Sequence, residues 1–114
     1  MPIYHVFANR SNAGDWLSAK GIQRLLGEPV VELLCDVPFI DATLARLRAA
    51  SPDDAVIVGG GGLLMDYFDP FWQGLAGLRL SAPVYLWGIG VVDLKAQPSL
   101  PQRKPVLEIA RHAR

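Results

Sequence analysis

The sequence predicts an α/β fold: an open parallel sheet of about four strands with helices on both faces. Three observations carry this expectation. Short apolar runs rich in β-branched residues alternate with amphipathic stretches in the order βαβαβαβα. The third run, "AVIV" at 55–58, shows no alternation of polar and apolar residues, the mark of a strand covered on both sides. Glycines cluster directly after the third and fourth runs, at the carboxyl ends of strands, where open parallel sheets hold their ligands.

The elements follow in order. "PIYHVFA" at 2–8 is too short for a helix and is bounded by polar residues, which predicts a buried first strand. "NRSNAGD" is loop chemistry. A helix is expected over 15–26, opening on Asp15 as a capping residue and placing Leu17, Ile22, Leu25 and Leu26 on one face. Gly27 can end it in a left-handed conformation, and "PVVELL" reads as the second strand. A loop from Asp36 to Asp41 precedes a second helix over "ATLARLRAA", with Asp41 or Thr43 near its start and Pro52 stopping it. After the third strand, residues 63–80 have a helical pattern that Pro70 is expected to interrupt, giving two short helices around an aromatic cluster of Tyr67, Phe68, Phe71 and Trp72. "APVYLWGIG" is the fourth strand, "QPSLPQRKP" is linker-like, and "PVLEIARHAR" is a final helix.

Composition narrows the function. The 114 residues, 51% of them hydrophobic, are enough for one domain spanning 1–114 with a real core. Eleven basic residues balance eleven acidic ones, which removes the electrostatic case for a nucleic-acid partner. Cys35 is the single cysteine, so no intrachain disulfide framework exists and the cytoplasm is the expected compartment. No apolar run approaches the ~20 residues of a membrane span. His5, His112 and Cys35 lack metal-ligand spacing, so no metal is expected, and His5 reads as a packed histidine inside a strand.

Two glycine-rich loops and the first loop should share one edge of the sheet. Glycine there lets backbone N–H groups point at a ligand, or simply allows a tight turn and close packing. The dinucleotide fingerprint G-x-G-x-x-G is absent after the first strand, and Gly59 to Gly62 fail its third glycine in either register. No phosphate-binding G-x-x-x-x-G-K-S/T occurs. Asp36, about twenty residues past Gly14, is the remaining nucleotide-site feature and stands as an alternative.

"NAGD" at 12–15, "VIVGGGGLLMD" at 56–66 and "APVYLWGIGV" at 82–91 together resemble the amino-terminal part of the polysaccharide pyruvyl transferase family, whose N-x-G-D, GGG-x-LL-x-D and P-V-x-x-x-G-x-G segments occur in this order. The resemblance implies a Rossmann-like half of a two-domain, GT-B-like architecture. It also implies transfer of a pyruvyl group from phosphoenolpyruvate to a sugar of a surface or exopolysaccharide, leaving a cyclic ketal. No cofactor is implied beyond phosphoenolpyruvate as donor substrate. On the matching positions, Asp15 and Asp66 become candidate catalytic acids or bases. Asn12, Gly14, Trp16, Gly59, Gly60, Gly61, Gly88 and Gly90 become candidate substrate-binding residues. Each acid has a plainer reading as well, Asp15 as a helix cap and Asp66 as a solvated mid-helix residue.

Family members are two to three times longer. The expected partners are therefore a sugar or polysaccharide acceptor and a carboxyl-terminal domain or second subunit, absent from this chain, that would hold the donor. The expected place is the cytoplasm, including the inner face of the membrane where polysaccharides are assembled. Arg103, Lys104, Arg111 and Arg114 read as the cationic end of a helix rather than a donor clamp. Of the three tryptophans, Trp16 adjoins the first loop and is the expected sugar-stacking residue, while the cluster at 67–72 is a candidate interface. The competing reading is a non-catalytic α/β module that binds a small ligand or a partner.

Overall fold

The computed structural model describes residues 2–89. Gly90, the expected last helix and the basic residues beyond it lie outside the described residues. Four strands form one sheet, β1 (Ile3–Phe7), β2 (Val31–Leu34), β3 (Ala55–Val58) and β4 (Val84–Leu86), in the order β2-β1-β3-β4. All three pairings are parallel, with Tyr4 opposite Val31, His5 opposite Ile57 and Val58 opposite Leu86. The sheet and its flanking helices make the α/β fold expected from the sequence.

Strand order reverses at β1. The chain steps outward to β2, then crosses back to place β3 on the other side, so crossovers of one hand put α1 (Ala13–Leu26) on one face and α2 (Ile40–Arg48) and α3 (Asp69–Leu78) on the other. Side-chain direction agrees. Tyr4, Val6 and Ala8 join Val56, Val58, Leu47 of α2 and Phe71, Trp72 and Leu75 of α3 in the main core. His5 points the opposite way, to Gln23 of α1. Both central strands are thus buried on two faces, which is why their sequences do not alternate.

Several local expectations are corrected. Helix α1 starts at Ala13, because Asn12, in extended conformation, is the cap and accepts from the Asp15 N–H. Asp15 is a first-turn residue with its carboxylate released from capping. The inward face of α1 is built from Asp15, Ala19, Ile22 and Gln23, so Leu17 and Leu25 point outward at 62% and 77% exposure. Gly14 has no left-handed backbone; a side chain there would meet Asn12 Oδ1 at 3.3 Å, so it makes room for the cap. Gly27 does end α1 in the left-handed region, at φ 73°.

The expected loop at 36–41 is instead a 3₁₀ turn, Val37–Phe39, capped by Asp36 and running into α2. Neither Asp41 nor Thr43 caps α2; Thr43 donates to the Leu34 carbonyl and ties the helix to β2. Pro70 does not break a helix. Residues 63–65 are non-helical, a 3₁₀ turn spans Asp66–Phe68, and Pro70 occupies the first turn of α3, where its missing N–H costs nothing. Phe68, Phe71 and Trp72 are core residues, Trp72 donating its indole N–H to the Leu63 carbonyl at 2.8 Å, so most of the aromatic cluster is interior and only Tyr67 faces out. No helix among the described residues is long and apolar enough to cross a membrane.

Candidate functional site

The reversal between β1 and β3 leaves a crevice at their carboxyl ends, the position at which open α/β sheets bind ligands. Three chain segments meet there, and they are the three segments of the sequence motifs. The loop after β1 delivers Asn9, Asn12 and Asp15. The glycine run follows β3. Trp87, Gly88 and Ile89 follow β4, joined to the run by the Gly60 N–H to Gly88 carbonyl bond at 3.3 Å and a parallel bridge between Gly61 and Ile89.

The glycines are explained first by packing within the protein. A Cβ on Gly59 would lie 1.5 Å from the Trp87 carbonyl oxygen, and one on Gly61 would lie 2.3 Å from Asp15 Oδ1. A Cβ on Gly60 would lie 3.1 Å from the Ala19 backbone nitrogen, and Gly60 and Gly61 have φ of 97° and 101°, open to glycine alone at low cost. Gly88 shares this conformation at φ 64°. The N–H groups of Gly59 and Gly60 are bonded to the Val6 and Gly88 carbonyls. These two N–H groups are therefore not offered to a ligand, and at Gly59 and Gly60 the close-packing alternative holds.

What the glycine run does expose is the Asp15 carboxylate, set against Gly61. Its pKa is raised by partial burial and then by the neighbouring charge of Asp36. Asp36 is the opposite case. Tyr67 and the Val37 N–H donate to its Oδ1, and Asn9 donates to its Oδ2 at 2.8 Å. These bonds, led by that from Tyr67, hold its carboxyl below the usual carboxylate range, and they raise the Tyr67 hydroxyl in return. Asn9 continues the chain by accepting from the Asn12 N–H at 2.8 Å and from Ser11. Beneath them Cys35 is buried and its thiol is pushed up to about 12, by desolvation first and by Asp36 and Asp15 next, so it is inert at neutral pH.

Asp66 is not drawn into this group. It is exposed at the start of a 3₁₀ turn, and its charge acts on Asp69, whose carboxyl is raised by partial burial and then by that charge. Trp16 is 38% exposed, but Lys20 Nζ stands 5.6 Å from its ring centroid, and Lys20 is itself fixed on Glu32 at 2.7 Å. One face of the Trp16 ring is therefore covered by an ammonium group. Among the described residues no cluster of three or more histidine, cysteine, aspartate or glutamate residues could hold a metal ion.

A second polar network supports the glycine run from the α1 side. His5, fully buried, bonds through Nε2 to the Gly59 carbonyl at 3.0 Å, and Gln23 Nε2 reaches its Nδ1 at 3.0 Å. The carbonyl can only accept, so Nε2 carries the proton and Nδ1 accepts from the amide. Gln23 donates its other proton to Glu32 Oε2 at 2.8 Å, and Lys20 and Arg10 complete the coordination of Glu32. Burial alone would raise the Glu32 carboxyl; bonds from Lys20, Gln23 and Arg10 overcome this and hold it at about 2.

Asn9 and Asp36 sit immediately past β1 and β2, a placement readable from the sequence, whereas the Tyr67 contact spans a separation of 31 residues with no local signal. No protein-family model, curated protein or solved structure matches this chain.

Proposed function

We propose that this chain is the acceptor-binding half of a polysaccharide pyruvyl transferase, holding a sugar at the β1/β3 crevice while a second domain or subunit presents phosphoenolpyruvate. The observation that carries the reading is the meeting of the three motif segments around Asp15, whose carboxylate stands against Gly61 with a raised pKa and no hydrogen bond among the causes of that shift. Such a group needs a hydrogen-bond donor, and a sugar hydroxyl is one. A carboxylate beside it can take the hydroxyl proton as the oxygen bonds to C2 of phosphoenolpyruvate and C3 gains a proton; attack by a second hydroxyl at C2 then expels phosphate and closes the ketal. The charge pattern separates acceptor from donor. Asp15 and Asp36 repel a phosphate and carboxylate, and the nearby cations Arg10 and Lys20 are both paired with Glu32.

The test is an amide-shift titration with pyranosides and with phosphoenolpyruvate. Pyranosides are expected to move the amides of Asn9, Asn12, Asp15, Gly61 and Gly62, and phosphoenolpyruvate to move none of them. In a pyruvyl-transfer assay with the donor half supplied, Asp15→Asn should retain acceptor binding and lose roughly 10²- to 10⁴-fold in rate, the range of general-base catalysis. A wild-type chain blind to every pyranoside would end the proposal. The close packing of Gly59, Gly60 and Gly61 on the protein's own atoms favours a second reading, a non-catalytic module. In that case the pyranosides bind and Asp15→Asn leaves no rate to lose.

A further inference from the structure

We propose that Tyr67 is the stacking platform of this site, and that the ligand it selects is a closed pyranose ring presenting one apolar C–H face, in preference to an open-chain polyol. The inference rests on the acceptor reading above and specifies what the acceptor must look like.

An exposed aromatic ring is ordinarily free to rotate about its side-chain bonds. Tyr67 is 49% exposed and yet held at both ends. Its hydroxyl donates to Asp36 Oδ1, while its ring meets the buried Phe68 edge-on, with centroids 5.1 Å apart and planes at 88°. Asp36 is anchored in turn by Asn9 and by the Val37 N–H. The ring therefore stands in one orientation before any ligand arrives, so little side-chain entropy remains to be lost on stacking.

Its surroundings match the two chemistries of a sugar. Val37 and Phe39, exposed apolar residues, belong to the turn capped by Asp36, the residue that holds the Tyr67 hydroxyl. The hydrogen-bonded chain Tyr67, Asp36, Asn9, Asn12 ends on the backbone N–H of Asp15, and Asp36 is near enough for its charge to act on the Asp15 carboxyl. In the proposed arrangement a pyranose laid on the ring turns its hydroxyl edge toward these two carboxylates while its axial C–H bonds cover the aromatic face. An acyclic polyol has the hydroxyls without the face. Trp16, the aromatic residue that the sequence favours for this role, has Lys20 over its ring instead.

The experiment compares methyl β-galactopyranoside with sorbitol on the full chain, by saturation-transfer difference and by amide-shift titration, for wild type, Tyr67→Phe and Tyr67→Ala. Wild type is expected to transfer saturation chiefly to the C–H protons of one sugar face and to bind sorbitol about tenfold more weakly or worse. Tyr67→Ala should lose about tenfold in pyranoside affinity and abolish the one-sided pattern, with amide changes in the free chain confined to the surroundings of Asp36 and Phe68, the residues that Tyr67 touches. Tyr67→Phe, which keeps the ring and loses the tether, should fall between the two. Pyranoside binding that is equal in wild type and Tyr67→Ala, or sorbitol binding equal to the pyranoside, overturns the stacking proposal and leaves the acceptor site standing. Failure of wild type to bind the pyranoside overturns both.

Discussion

Adding one methyl group at Gly59 should be far more damaging than its size implies. Its φ lies outside the left-handed region, so the backbone itself tolerates alanine and the cost is steric. The new Cβ would fall 1.5 Å from the carbonyl oxygen and 2.6 Å from the carbonyl carbon of Trp87, both backbone atoms. Restoring ordinary contact near 3.5 Å requires the exit of β4 to retreat by about 2 Å. That movement breaks the Trp87 N–H to Val58 bond at 3.0 Å and the Gly60 N–H to Gly88 bond at 3.3 Å, and unseats the Gly61–Ile89 bridge. With about 1 kcal/mol for each of the two backbone bonds and about 1–3 kcal/mol for overpacking, Gly59→Ala should cost about 3–5 kcal/mol. In a chain of this size the melting temperature should fall by roughly 15–25 °C. Urea unfolding followed by far-ultraviolet circular dichroism measures it, with Gly21→Ala as the reference. Gly21 lies within α1 with nothing inside 4 Å of a built Cβ, so alanine there should stabilise by about 0.5–1 kcal/mol. A Gly59→Ala chain within about 1 kcal/mol of wild type would refute the view that the glycine run is a packing device.

The polar networks and the cap of α1 make three further outcomes measurable. The folded state lowers the His5 pKa, through desolvation first, so the unfolded chain binds the proton more readily and stability falls as pH drops below the ordinary value of 6.5; a ring titration of His5 with a midpoint at or above 6.5 contradicts desolvation as the dominant influence on this ring. Glu32, held at about 2 against an ordinary 4.5, contributes stability that is fully present above pH 4.5 and lost as pH falls toward 2, and the exposure of Arg10 and Lys20 to solvent screens it to about 1–2 kcal/mol. Glu32→Gln should flatten the urea midpoint across that window. Asn12→Ala removes the cap of α1 and should cost about 1 kcal/mol in thermal unfolding, while Asn12→Asp should restore most of it.

The architecture was legible because it depends on local patterns. Unbroken apolar runs at β1 and β3 mark strands buried on both sides, and Gly27 marks a helix end whatever surrounds it. The cap of α1 lies three residues before the expected Asp15 because Asn12 and Asp15 are both good caps, and the choice is made by Asn9, whose side chain fixes the Asn12 N–H. Pro70 is ambiguous for a similar reason: a proline fits the first turn of a helix as well as it interrupts one, and only the non-helical residues 63–65 before it decide. At the site, the convergence of the loops followed from topology, but its polar wiring did not. Tyr67 with Asp36 and His5 with Gly59 are contacts between residues far apart in sequence, and their formation depends on the register of the assembled sheet.

The central place of β1 also governs when the crevice can exist during synthesis. β1 leaves the ribosome before its neighbours, yet its flanks are filled by β2 and then by β3, across a long loop of chain. Until β3 docks, the strand between them has an open edge and the α2/α3 core has no sheet centre to close on. The glycine run is the next segment after β3, so Asp15 gains its neighbour only in the closing step of the central sheet. A partly folded chain thus carries every residue of the site in sequence and none of its geometry. Substitutions that delay β3 docking should lower the yield of competent protein before they alter the affinity of the molecules that finish folding.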